Sequence, residues 1–241
     1  MVAFLPGRED GTFGLMVVLL NLDGGEHHDE PEELYGLADV VHVACGGHAG
    51  DAASMERVVR ACLARGTRVG VHPSYVDRDG FGRRPQQVAP ALLADQIAAQ
   101  CAALCQAVPG AKVYSAKPHG ALYHAAHADD AVARACVDGI ERALGKTIIV
   151  GLAGGALERA ARAAGHDYAR EAFADRGLRA DGSLVPRGEP GALVDDPAVA
   201  VDRARALRDL GATDMLCIHA DTPSALVIAR AVRAALDADT R

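Results

Sequence analysis

Val40-Val41-His42-Val43-Ala44-Cys45-Gly46-Gly47-His48-Ala49-Gly50-Asp51 is the stretch on which the fold turns. Four of its first five residues are apolar and three of these are β-branched, as in a strand buried on both faces. A glycine-rich loop carrying His48 and Asp51 follows. Beyond it Met55, Val58, Val59, Cys62 and Leu63 recur at helical spacing, with Arg57 and Arg60 opposite, and Gly66 stops the helix. Strand, polar loop and amphipathic helix thus form one β/α unit.

The unit recurs in both directions. A strand over 17–20 leads into Asn21-Leu22-Asp23-Gly24-Gly25-Glu26, and one over 68–71 into His72-Pro73-Ser74. Strands over 113–116 and 147–150 lead into Lys117-Pro118-His119-Gly120 and Gly151-Leu152-Ala153-Gly154. Strands over 169–173 and 215–218 lead into Ala174-Asp175-Arg176-Gly177 and His219-Ala220-Asp221. Helices are expected over 90–108, opened by Pro90, over 130–144, ended by Gly145, and over 197–210, ended by Gly211. A short helix closes at Gly165, and Thr222 and Pro223 cap and open the last one. A long loop covers 77–84, and 181–191 reads as a surface excursion.

Seven strands alternating with helices specify a parallel sheet covered by helices. Both an open doubly wound sheet and a closed barrel have that alternation. An ionisable motif behind nearly every strand favours the barrel, whose functional loops ring one face. The expectation is an α/β fold, a seven-stranded parallel β/α barrel occupying 16–241 as one domain.

Composition limits what the barrel can do. The chain has 241 residues, 50% hydrophobic and 24% charged, which excludes disordered, collagen-like and coiled-coil chains. With 4% aromatic residues the core is aliphatic, and no stacking platform for single strands is expected. A formal net charge of -7 opposes nucleic acid and anionic membranes as partners. The apolar run over 15–20 is too short to span a bilayer. The cysteines, Cys45, Cys62, Cys101, Cys105, Cys136 and Cys217, sit in apolar runs and read as reduced thiols of a cytoplasmic protein.

If the barrel closes, the residues behind its strands converge: Asp23, Glu26, His48, Asp51, His72, Lys117, His119, Asp175, Arg176, His219 and Asp221. Imidazoles and carboxylates gathered in a pocket perform acid–base chemistry or hold a metal. Asp51 fits a helix N-cap as well as a site residue, and Asp221 fits a turn. His42 reads as a core or barrel residue, Cys45 as a small buried one, and His27, His28, His124, His127 and His166 as surface residues. Arg83 suits a carboxylate or phosphate, and Arg84 a solvated turn. There is neither a G-x-x-x-x-G-K-[ST] phosphate loop nor a G-x-S-x-G nucleophile elbow.

Asn21-x-Asp23-x-Gly25-Glu26, Ala44-Cys45-Gly46-x-His48-Ala49-Gly50-Asp51, Gly70-x-His72-Pro73-Ser74 and Lys117-Pro118-His119-Gly120-Ala121-Leu122-Tyr123 together resemble the LamB/YcsF lactam-utilisation family. So do Asp77-Arg78 with Phe81-Gly82-Arg83-Arg84, Phe173-Ala174-Asp175-Arg176, Asp181-Gly182-Ser183-Leu184-Val185-Pro186-Arg187 and Cys217-Ile218-His219-x-Asp221. Leu19, Gly24, Gly47 and Ala220 depart from the family pattern. Residues 1–15 read as an extension, with Met16 as the start.

The resemblance implies a distorted barrel of the glycoside hydrolase/deacetylase type. It also implies ATP-dependent opening of 5-oxoproline to L-glutamate, with Mg and with the 5-oxoprolinase subunits B and C as partners. Phosphorylation of the amide oxygen would turn it into a good leaving group. Lys117, Arg176 and Arg83 would supply positive charge, with Asn21 in the substrate-binding set. Asp23, Glu26, Asp175 or one of His48, His72, His119 and His219 would be the base. Alternatively, Asp23 with His48 and His119 would hold a divalent metal. Two other readings are a metal-dependent amidohydrolase or deacetylase that needs no ATP, and a non-catalytic subunit that binds the lactam.

Overall fold

Polar residues inside strands set the frame of the barrel. In the computed structural model, which describes residues 18–179, 184–222 and 224–239, the first strand is β1 (Leu19–Gly24). Leu20 and Leu22 point outward into the main apolar cluster beneath the helices, whereas Leu19 points inward. By the period of two along a strand, Asn21 and Asp23 share the inward face with Leu19. The strand is therefore longer than its apolar run over 17–20, because its polar members line the barrel.

The other strands are β2 (Val40–Ala44), β3 (Arg68–His72), β4 (Val113–Ala116), β5 (Ile148–Gly151), β6 (Asp167–Phe173) and β7 (Met215–His219). Neighbours pair in parallel and β7 closes on β1, with Asp23 level with both His42 and His219. The expected closed seven-stranded barrel is what forms. A register shift at Val69/Gly70 between β3 and β4 distorts it.

Its interior is layered. Leu19, Val40, Ile148, Val150, Ala169 and Met215 plug the bottom. Above them Asn21, His42, Ser115 and Glu171 are all buried, and His42 Nε2 lies 2.9 Å from Ser115 Oγ. His42 is thus the interior barrel residue expected.

The helices are α1 (Glu33–Leu37), α2 (Ala52–Ala64), α3 (Pro90–Ala107), α4 (Gly120–Ala128), α5 (Asp130–Leu144), α6 (Ala156–Ala163), α7 (Pro197–Asp209) and α8 (Ala225–Ala238). Asp51 caps α2 in a reciprocal capping box with Ser54, settling its alternatives in favour of the cap. Thr222 does not cap α8. Ser224 holds that position, and the Thr222 hydroxyl donates to Asp175 Oδ2 at 3.4 Å. His166, read as a surface residue, is buried between Thr147 and Glu141.

Two glycines bring the β3–α3 loop onto the start of α4. Gly120 has φ +57, and a Cβ there would lie 2.6 Å from the Gly82 carbonyl oxygen. Gly82 has φ +63, and a Cβ there would lie 2.9 Å from His48 Cβ. Only glycine tolerates both conditions. The Gly47 departure is filled from elsewhere: a Cβ would fall 2.3 Å from Gln100 Oε1, which accepts from the Ser74 amide.

The expectations for residues 1–15, for Met16, for Asp181-Gly182-Ser183 and for Pro223 lie outside the described residues. The described part of the 181–191 excursion is more than surface. Leu184, Val185, Pro186 and Arg187 wall the cavity at the barrel mouth. Among the described residues no helix is long and apolar enough to cross a membrane.

Candidate functional site

The C-terminal ends of the strands open into a cavity of about 770 Å³. Asp23, Glu26, His72, Lys117, His119 and His219 line it, as do Arg83 and Arg176 at its edge. Asn21, His48 and Asp175 do not line it; they are buried and bond to residues that do.

Lys117 follows β4 directly and is 1% exposed. Its Nζ pairs with the Asp23 carboxylate and lies 2.9 Å from Glu171 Oε1 and 3.0 Å from Asn21 Oδ1. Burial works against the ammonium, but Asp23, Cys217 and Glu171 raise its pKa well above the usual lysine value. Burial likewise works against the Asp23 carboxylate, and His72 and Lys117 outweigh it, holding its pKa well below the usual range. The pair is ionised, which makes Asp23 a weak proton acceptor and Lys117 a fixed positive charge.

His219, at the end of β7, is held by a carboxylate. Asp175 accepts from the His219 backbone amide at 2.7 Å and from Nδ1 at 3.0 Å. The Nε2 nitrogen is left 4.0 Å from Asp23 Oδ2, on the cavity side. Burial lowers the imidazole pKa, but Asp175 more than reverses this, and the net direction is upward. An imidazole oriented by a buried carboxylate, with its other nitrogen open to a ligand, is equipped to move a proton.

Glu26, His48, His72 and His119 form a second group, with one donor atom from each lying within 4.8 Å of the others. His48 and His119 stack at 3.7 Å between ring centroids. Burial pushes the His48 pKa down to about 3 and lowers that of His119 as well. This cluster is consistent with a divalent cation.

The rim is cationic. Arg83 and Arg187 donate to the same oxygen, Asp221 Oδ2, at 2.8 and 2.6 Å. Asp221, for which both a strand-end site role and a turn were open, thereby gathers two guanidinium groups from separate loops. Arg176 spends its Nε and Nη2 on the carbonyls of Ala192 and Val185 and so anchors the cavity wall. Arg84 and His124 are exposed, as expected, and His124 also lines the cavity.

Sequence reasoning missed four residues. Glu171 sits in β6, where a charged residue reads only as a weak strand. Glu30 is buried and accepts from the amides of Gly25, Glu26 and His27 at 2.7, 2.8 and 2.8 Å, fixing the loop that carries Glu26. Tyr123 and Arg187 lie within the family-like motifs, and both line the cavity.

Fold and site together define a β/α-barrel protein with an ionisable cavity at the C-terminal face, the position of active sites in this architecture. The LamB/YcsF family model matches residues 20–241, and the chain belongs to that family. It is 42% identical to a Streptomyces avermitilis protein named as the A subunit of 5-oxoprolinase, over 91% of this chain and 95% of the relative. It is 39% identical to the protein of the same name from Bordetella pertussis, again over 91% and 95%. A lactam utilization protein from Thermus thermophilus superposes with a TM-score of 0.85 at 34% identity, covering 93% of this chain and 97% of its own. A family 4 carbohydrate esterase from Streptomyces lividans shares the fold at a TM-score of 0.54 and 14% identity, covering 93% and 90%.

Proposed function

We propose that this chain is the A subunit of an ATP-dependent 5-oxoprolinase that opens the lactam of 5-oxoproline to L-glutamate with partner subunits B and C. The observation that carries the reading is the His219–Asp175 pair, which presents a free imidazole nitrogen to the cavity that also holds the Lys117 ammonium. The names of the relatives support the substrate, and their designation as A subunits supports partners. Six free cysteines fit a cytoplasmic setting.

A five-membered lactam is nearly unstrained and resonance-stabilised, so it needs activation. Phosphorylation of the amide oxygen, with Mg-bound ATP as donor, makes the ring carbon electrophilic. Water adds there while His219 takes its proton. The C–N bond breaks, the nitrogen leaves as the amine with a proton, and a second water hydrolyses the remaining acyl phosphate. Lys117 offsets negative charge developing on oxygen. Arg83 and Arg187 take the substrate carboxylate, and Arg176 holds the wall above it. A cavity of about 770 Å³ has room for more than a single small lactam.

Glutamate release from 5-oxoproline tests this reading, using the chain alone and with subunits B and C, each with and without ATP. Turnover is expected only in the complete mixture with ATP. Turnover by the chain alone, indifferent to ATP, would replace the reading with an ATP-independent amidohydrolase. The imidazole cluster gives that alternative its footing.

A further inference from the structure

Two backbone carbonyls fix the protons of the imidazole cluster. His72 Nδ1 donates to the Lys117 carbonyl at 2.7 Å, and His119 Nε2 donates to the Phe81 carbonyl at 3.0 Å. A carbonyl oxygen only accepts, so in the uncharged form of each ring the single proton is used. The nitrogens left over, His72 Nε2 and His119 Nδ1, carry lone pairs and face each other at 3.0 Å. Glu26 Oε1 lies 3.2 Å from His119 Nδ1, 3.8 Å from His72 Nε2 and 3.0 Å from His48 Nε2. Electron-rich atoms converge in this way around a cation.

A proton between His72 Nε2 and His119 Nδ1, with another between His48 Nε2 and Glu26, would join the four atoms only in pairs. A tetrahedral metal ion serves all four: with bonds of about 2.1 Å its ligand atoms stand about 3.4 Å apart. Four of the six separations, 3.0 to 3.8 Å, bracket that edge, and all six lie within 4.8 Å. The remote N–H groups of His72 and His119 already bond to carbonyls, the arrangement that orients metal-bound imidazoles. Asp23, by contrast, is tied to Lys117.

We propose that Glu26, His48, His72 and His119 bind one divalent transition-metal ion of the zinc class. Three imidazoles and one carboxylate are the donor set that such a borderline ion takes. Glu26, His72 and His119 line the cavity, and His48 stands behind them. The ion would act there as a Lewis acid toward a carbonyl or water entering the cavity. The ligand set differs from Asp23 with His48 and His119, and it stands on geometry independent of the lactam reading.

The test uses the full chain stripped with EDTA, then dialysed against Zn²⁺ and analysed for bound metal. Visible absorption of the Co²⁺ form reports the geometry. Wild type is expected to hold about one Zn²⁺ per chain, with a higher Tm than the stripped form. His72→Gln and His119→Gln, shown folded by circular dichroism, are expected to bind at least about tenfold more weakly. His124→Gln, outside the cluster, is expected to bind like wild type. Folded wild type without stoichiometric Zn²⁺, or equal binding by the His72 and His119 variants, would overturn the proposal. Glutamate release is judged separately: a metal-free but active complex would sink this inference and leave the lactam reading standing.

Discussion

Lys117 is the residue on which the interior charge balance rests. It is fully buried, with Asp23 and Glu171 as its counterions. Lys117→Met would leave two buried carboxylates without their cation, so stability in urea is expected to drop by about 3–5 kcal/mol. Glu30→Ala would free three loop amides and the Tyr35 hydroxyl, with an expected loss of about 3 kcal/mol and displacement of Glu26. His219 gives a pH signature. Its folded pKa is raised, so its contribution is complete below the unfolded value of about 6.5 and is lost as pH rises through the folded value. Asp175 is lowered, so its contribution is present above about 3.9 and is lost as pH falls through its folded value. The Tm of wild type should decline above about pH 6.5 more steeply than that of His219→Gln. Equal slopes would refute the pairing. At this scale the sequence revealed the strand-end residues but not Glu171 or Glu30, because neither burial nor partner is visible in a one-dimensional pattern.

At the scale of elements, apolar runs located all seven strands, but they mark the outward face better than strand length. β1 extends to Gly24 because Asn21 and Asp23 alternate with Leu20 and Leu22, and alternation with buried polar groups does not look like a parallel strand. The helix α4 was missed because it begins at Gly120 with no side-chain cap, straight after a Pro-His pair that reads as loop. The short helix α1 has five residues, too few for a periodic pattern. Caps separate structure from chemistry. Asp51→Ala should cost about 1 kcal/mol and leave turnover unchanged, since Asp51 is exposed and bonded to Ser54. Gly120→Ala should cost about 2 kcal/mol, because it places a Cβ against a carbonyl at positive φ.

Across the whole molecule, closure of the barrel brings residues nearly 200 positions apart, Asp23 and His219, to the same level of the sheet. The ring of strand-end motifs made that convergence legible, while the cavity wall contributed by Leu184 to Arg187 was not, since a Pro- and Gly-rich stretch carries no periodicity. On the proposed function, the lactam opens in this cavity. Glutamate release from 5-oxoproline by the chain assembled with subunits B and C, in the presence of ATP, bears on that claim without intermediate steps, when wild type, Lys117→Ala, His219→Ala and Asp51→Ala are compared. Losses of about a hundredfold or more are expected for Lys117→Ala and His219→Ala, with Asp51→Ala at the wild-type rate. Wild-type turnover by both cavity variants would contradict a reaction centred on these residues.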